Sequence, residues 1–292
     1  MFSTVRSFVK RHPRVRALLV PAWQHVMKLL WILRNSLFGR WPISFAAGGH
    51  TVSMVAKGQI AEYIWRSAFE KSEQDFAART IKPGMRVLNI GANAGLYTII
   101  ASKLVGAAGE VHAFEPSSHN FSLLKENIEL NQCRNVVANN VAISNFKGRL
   151  SLNRDPLHPE CDGHFYVRNL SETPVDSSAP MEIVSCTTVD EYWREYCGGD
   201  IKPVDFIVID VEGAELSVFE GARKTFSASP RLAMIMECTE HIPAIDAFLR
   251  DFGFAYYHWD LDSSELLPAE IGFGGFVAWR GNLEERQRKF PE

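Results

Sequence analysis

The run Arg86-Val87-Leu88-Asn89-Ile90-Gly91-Ala92-Asn93-Ala94-Gly95-Leu96-Tyr97-Thr98 decides the fold. Its first five residues read as a short apolar strand. Gly91 and Gly95 let the backbone turn sharply and approach a ligand closely. Leu96 to Leu104 reads as a helix, and the first N–H groups of a helix have no partner within it. A strand, a glycine turn and a helix start together make a seat for a nucleotide. The turn reads G-x-N-x-G, not G-x-G-x-x-G. That favours a bulky nucleoside with an amino-acid tail over a pyrophosphate.

Reading toward the C-terminus, Glu110 to Phe114 is a second strand and ends in Phe114-Glu115-Pro116. An acid at this edge can accept from both ribose hydroxyls at once. Its spacing from the glycine turn suits S-adenosylmethionine and NAD alike. Ser117 to Leu130 is a helix with Ser117 or Ser118 as its N-cap. Asn135 to Ile143 is a third strand. Strands that alternate with helices imply parallel βαβ units. The rhythm changes over residues 148–188, where Leu150 to Leu152, Phe165 to Val167 and Glu182 to Cys186 read as short strands. An insertion there either shapes a substrate pocket or decorates the surface.

The alternation resumes at Val204 to Val211, which runs into Ile209-Asp210-Val211-Glu212-Gly213-Ala214-Glu215. Ligands of open α/β sheets bind outside the carboxyl ends of the strands. Asp210 and Glu212 stand at such an end. One can reach a ligand's amino group, and the other can orient or deprotonate a hydroxyl. Plain helix capping is the alternative. Gly213 to Phe226 reads as a helix, Leu232 to Glu237 as a strand, and Ile242 to Phe252 as a helix. Phe254 to Trp259 and Phe273 to Trp279 are strands joined by an acidic loop, so they pair antiparallel.

Upstream, Lys82-Pro83-Gly84 breaks the chain, and Ile60 to Ala78 has helical spacing. Met1 to His50 contains no Asp or Glu but has eight Lys and Arg residues. The apolar stretch from Ala17 to Leu33 is interrupted by Pro21, Gln24, His25 and Lys28, so it is too short and polar to span a bilayer. It reads as a helix packed on the rest of the chain, a basic amphipathic helix on an anionic membrane or, least of the three, a targeting peptide. Ala46-Ala47-Gly48-Gly49 reads as the joint between this extension (1–50) and the main domain (51–292). Hydrophobic residues make up 46% of the chain and charged residues 22%, which argues for a folded protein; a net charge of −3 gives no footprint of a nucleic-acid binder. Cys133, Cys161, Cys186, Cys197 and Cys238 form no CxxC pair and read as reduced thiols in a cytoplasmic protein.

The motifs around Asn89, Glu115 and Asp210 together resemble the FkbM family of S-adenosylmethionine-dependent methyltransferases. Lys57-Gly58 with Glu62, Thr188-Val189-Asp190 and Glu237 add to the likeness, which covers Val52 to Trp279. The fold expected is α/β: a Rossmann-like, seven-stranded methyltransferase sheet, mostly parallel with an antiparallel final strand, and helices on both faces. The resemblance implies O-methylation of a sugar, glycan or glycolipid hydroxyl, or of a polyketide-type product. It places Gly91, Asn93 and Gly95 at the methionine end of S-adenosylmethionine and Glu115, with Pro116, at the ribose. Asn140 and Ala142 fall near the adenine, and Asp210 and Glu212 at the reaction centre. Asn89 stands where the family usually has Asp, so the charge that would attract the cofactor's ammonium is lost. His241, at a helix start beyond Glu237, joins Asp210 and Glu212 as a candidate base; His158, His164 and His258 are weaker candidates. Asp210 and Glu237 could share a magnesium ion, though no spacing demands a metal. Two other classes compete: an NAD-dependent oxidoreductase and a non-catalytic nucleoside-binding protein. The expected partner is a small-molecule or glycan acceptor, with peripheral membrane contact through residues 1–45; no oligomeric state follows.

Overall fold

The computed structural model describes residues 25–34, 36–37, 42–56, 58–65, 70–154, 165–169 and 181–280. Residues 25–34 are helical. A hairpin of β1 (Ile43–Ala47) and β2 (His50–Met54) follows. Gly48 and Gly49 are its two-residue turn, both at positive φ (57° and 76°). Two left-handed residues in a row match the twist of the flanking strands. The expected joint between extension and domain is therefore a tight turn. The expected helix from Ile60 to Ala78 is instead two, α1 (Gly58–Trp65) and α2 (Lys71–Thr80), with Glu70 left-handed at the start of the second.

Next come β3 (Arg86–Ile90), α3 (Leu96–Val105), β4 (Glu110–Phe114), α4 (Ser118–Leu130) and β5 (Val136–Asn139). The third expected strand ends early. Its last residues form β6 (Ala142–Ile143), which leaves the main sheet and pairs with β9 (Met181–Thr187). With β7 (Gly148–Arg154) and β8 (Phe165–Asn169) they make a second sheet ordered β6-β9-β7-β8. After α5 (Val189–Tyr196), β10 (Phe206–Ile209), two short helices α6 (Glu215–Glu220) and α7 (Arg223–Ala228), β11 (Ala233–Cys238) and α8 (Ile242–Asp251), the chain ends in β12 (Phe254–Asp260), β13 (Glu265–Pro268) and β14 (Gly274–Arg280).

The main sheet runs β13-β12-β14-β11-β10-β3-β4-β5. The strands from β11 to β5 are parallel, and β14 inserts antiparallel between β11 and β12. Seven strands match the expectation. The eighth, β13, occupies the stretch read as an acidic loop and pairs with β12 at the edge.

Strand alternation explains why helices cover both faces. Phe206 and Val208 pack on Phe76, Ala77, Ala101 and Val105, whereas Ile207 and Ile209 pack on Phe219, Phe226, Phe248 and Trp193. A strand buried on both sides must be apolar at every position, as Phe206–Ile209 is. The chain leaves β3 toward β4 and β5 and returns to β10 on the other side of β3. Loops diverge there, so a crevice opens at the carboxyl ends of β3 and β10.

Trp31 ties the N-terminal helix down. It is 9% exposed, packs against Trp65 with ring centroids 6.3 Å apart, and joins a cluster with Ile64, Leu96 and Ile99. Arg34 lies over both indole rings. Residues 1–24, Cys161, His158 and His164 lie outside the described residues. Cys133, Cys186, Cys197 and Cys238 are free thiols.

Candidate active site

The crevice is built on Gly91. Its φ is +81°, and a Cβ there would lie 1.8 Å from the Asp210 carbonyl oxygen. Only glycine lets the β3 turn touch β10 so closely. Gly91 and Ala92 N–H both donate to Phe114 O (3.0 and 2.9 Å), and Asp210 N–H donates to Ile90 O (3.1 Å). Asn93 is left-handed at φ 49°, a conformation Asn tolerates better than most residues. The turn is thereby fixed against the ends of β4 and β10 before any ligand arrives.

Glu115 is 5% exposed. Its Oε2 accepts from Asn93 N–H (2.7 Å) and its Oε1 from Ser117 N–H (2.9 Å). Each carboxylate oxygen keeps a second acceptor position. Burial pushes the Glu115 carboxyl up to about 7, against the two N–H donors that favour the charged form, and Glu182 adds a little repulsion. Glu182 itself belongs to the second sheet and accepts from Ser118 N–H at the start of α4 (3.1 Å). The cavity beside Glu115 has an apolar wall of Ile90, Phe114, Val141, Ala142, Ile143 and Leu152. Three of these come from β6 and β7, so the inserted sheet closes one side of the cavity. An apolar slot ending in a carboxylate fits a base and its ribose.

Asp210, Glu212 and Ala214 line the cavity from the β10 side. Solvent reaches Asp210 through the cavity mouth, yet its carboxyl is held well above the usual carboxylate range. Crowding by the protein is the first cause, followed by the negative charges of Glu212, Glu237, Glu70 and Glu215. Sheet register shows why they meet: Ile209 pairs with Met236, so Asp210 and Glu237 emerge side by side. Glu237 pairs with Gly275, and a Cβ on Gly275 would lie 3.5 Å from Glu73 Oε1. Tyr97 OH donates to Glu70 Oε2 (2.7 Å). Burial, then neighbouring carboxylates, push Glu70 up to about 7, while the Tyr97 bond pulls the other way. Glu212 is left-handed at φ 48°, which costs a side chain of its kind about 1–2 kcal/mol.

The structure brings Gly91, Asn93, Glu115, Pro116, Ala142, Asp210 and Glu212 to one cavity. Gly95 lies just beyond it, at the N-cap of α3. Three expected residues sit elsewhere. Asn89 is 2% exposed and points into the interior, where its amide donates to Thr98 Oγ1 (2.8 Å). Strand parity is the reason: its neighbours Leu88 and Ile90 take the opposite face. Asn140 is exposed, and its amide donates to Glu115 O and Pro116 O (2.9 Å each), bracing the strand end. His241 is the left-handed N-cap of α8 and is exposed beside Glu240. Glu70, Glu73 and Tyr97 were not foreseen. Tyr97 lies inside the decisive run, but Glu70 and Glu73 sit in a stretch with nothing except helical spacing to mark it. Among the described residues, no three His, Cys, Asp or Glu side chains converge as metal ligands.

An open α/β sheet with a crevice at its switch point, apolar on one side and acidic on the other, defines the nucleotide-binding class of α/β proteins. Residues 89–256 match the model of the methyltransferase FkbM domain, more than half of the chain. The chain belongs to the FkbM methyltransferase family. No curated protein matches its sequence. Among solved structures it is similar to an S-adenosylmethionine-dependent methyltransferase from Agrobacterium tumefaciens (12% identity, 83% of this chain and 71% of that one covered, TM-score 0.42). It is also similar to an O-methyltransferase from Thermotoga maritima (14%, 85% and 81%, 0.41) and to one from Bacillus cereus in complex with SAH (16%, 68% and 75%, 0.38).

Proposed function

We propose that this methyltransferase moves a methyl group from S-adenosylmethionine to a hydroxyl of a sugar, glycan or glycolipid precursor. The observation that carries this reading is the pairing of two unlike ends in one crevice. The Glu115 end is apolar with a doubly hydrogen-bonded carboxylate, suited to a nucleoside. The Asp210 end is acidic, suited to the cationic methionine tail and to an acceptor rich in hydroxyl donors. Bound there, S-adenosylmethionine supplies an electrophilic methyl on a sulfonium. Glu115 would hold the ribose hydroxyls, the Ile90–Phe114–Leu152 wall the base, and Asp210 the ammonium. The residues' remaining task is alignment, since in-line displacement depends on the approach of the acceptor oxygen. The test is mass spectrometry of surface glycans and small metabolites from cells with and without the gene. A difference of one methyl on a sugar supports the reading; a methyl difference confined to non-carbohydrate metabolites sinks it.

One observation favours a lipid-linked acceptor. On the helical residues 25–34 and 36–37, Val26, Leu29, Leu30, Ile32, Leu33 and Leu37 are between 45% and 66% exposed. They lie in a region of eight cations and no anions, the pattern of a helix resting on an anionic bilayer. Among the described residues no helix is long and apolar enough to cross a membrane. Sedimentation with phosphatidylglycerol vesicles, lost in Leu29→Ser/Leu33→Ser and weakened by salt, is the expected result. Equal sedimentation of both proteins would discard the membrane contact.

A further inference from the structure

The acids at the β10 end outnumber the task just given to Asp210, and one pair among them is built differently from the rest. Glu70 stands at the start of α2, left-handed at φ 39°. Its Oε2 takes the Tyr97 hydroxyl hydrogen at 2.7 Å. Tyr97 is the second residue of α3, two positions past Gly95, so the turn that seats the cofactor also fixes this phenol. The groups facing Glu70 come from four elements: Glu73 from its own helix, Tyr97 from α3, Asp210 beyond β10 and Glu237 on β11. Asp210 lines the apolar cavity and also feels the charge of Glu70, so this pair stands next to the acidic end of the crevice.

We propose that Glu70 is the base that takes the acceptor's hydroxyl proton and that Tyr97 is the positioning residue that orients it. The assignment rests on the O-methyl transfer proposed above. In the step, the acceptor oxygen forms a bond to the methyl carbon as the carbon–sulfur bond breaks. The electron pair of that bond stays on sulfur, and the hydroxyl proton goes to a Glu70 oxygen and later to water. Tyr97 occupies one lone pair of Oε2 and leaves Oε1 for the acceptor. Its own hydroxyl stays protonated through the physiological range, because burial and then the Glu70 charge hold it well above the ordinary phenol value. Near neutral pH Glu70 lies close to its midpoint, where a general base works best. Asp210 and Glu115 are placed otherwise: Asp210 lines the cavity, where it would hold the cofactor's ammonium, and both Glu115 oxygens are engaged by backbone N–H groups.

The experiment has two arms on the full-length protein. In the first, ¹³C NMR follows glutamate carboxyls in the presence of S-adenosylhomocysteine. Two carboxyls with midpoints near 7 are expected, those of Glu70 and Glu115; one is absent in Glu70→Gln and that same signal moves to higher pH in Tyr97→Phe, since the lost phenol bond favoured the charged form. If the Glu70 signal titrates in the ordinary carboxylate range, the assignment is overturned whatever the acceptor. In the second, tritiated methyl is followed from S-adenosylmethionine into an extract of cells lacking the gene. Wild-type transfer should rise with pH through about 7. Glu70→Gln should lose about 10²-fold or more in rate with its affinity for S-adenosylhomocysteine kept, and Tyr97→Phe should carry the limb upward. A Glu70→Gln enzyme within about threefold of wild type, or a limb that persists in it and vanishes in Asp210→Asn, overturns the base. Absence of any transfer by the wild-type protein overturns the methyl-transfer reading itself, and this assignment with it.

Discussion

At the end of β4, Glu115 is buried with a backbone N–H on each oxygen; at the ends of β10 and β11, Asp210 and Glu237 meet Glu70, Glu73 and Glu215. In both halves carboxyls are pushed up: Glu115 in one, Asp210, Glu70 and Glu215 in the other. The causes differ. Around Glu115 the protein supplies donors that suit a fixed anion, so this half is shaped to grip. Around Asp210 it supplies more carboxylates, so this half has charge waiting for a cation and protons close to exchange. In the proposed reaction, one sheet edge would separate holding from reacting by what surrounds the same functional group.

The comparison breaks most severely at the residue that joins the halves. Gly91→Ala would drive a methyl into the Asp210 carbonyl and force a φ of +81° on a residue with a side chain. We expect a loss of about 3 kcal/mol of stability, read by urea denaturation. A variant as stable as wild type would mean that the two strand ends are not in contact. Next comes Glu115→Ala, which leaves the Asn93 and Ser117 N–H groups without their acceptor and removes the ribose grip. Affinity for S-adenosylmethionine should fall about 100-fold, some 2–3 kcal/mol, by calorimetry; a loss below about threefold would place the nucleoside elsewhere.

The pH dependence of the unliganded protein probes both halves together. Glu70 and Glu115 have midpoints near 7 when folded, against an ordinary 4.5. The folded state therefore binds protons that the unfolded chain releases, and stability falls as pH rises through 7. The free energy of unfolding should rise by about 1 kcal/mol per group as pH is lowered from about 8 to 6.5, and the thermal midpoint should climb with it. Lower still, His112 opposes the trend. Burial brings it down to about 4 from 6.5, so the folded state resists a proton the unfolded chain accepts, and stability is lost as pH falls below 6.5. A midpoint flat between pH 8 and 6.5 would contradict the burial of both carboxyls. The smallest effects belong to residues outside the cavity. Asn89→Asp and His241→Ala should each change cofactor affinity by less than about threefold, and a tenfold change in either would bring that side chain back into the site.

Much of this was legible in residues whose spacing is local. The strand–turn–helix at Val87–Thr98, the acid after Phe114 and the Asp210–Glu215 run each carry their geometry within a dozen residues, and the structure gathers them in one cavity. Where reading failed, the deciding partner was distant. Strand parity, set by the whole sheet, turns Asn89 inward to Thr98. Asn140 follows a strand whose end peels away to join β9, some forty residues later. β13 exists because β12 offers it an edge, and its own composition reads as loop.

The sequence by itself determined the order of strands and helices, the glycine that lets β3 touch β10 and the family to which the chain belongs, because backbone sterics and hydrophobic period act between near neighbours. Only the tertiary structure decided that Glu70 on α2 would meet Tyr97, that Glu73 would lie over Gly275, and that Asp210 would have Glu237 for a neighbour. Those meetings come from register and packing between segments up to two hundred residues apart. Buried charge repels or attracts across such distances in sequence, with no local pattern to announce it.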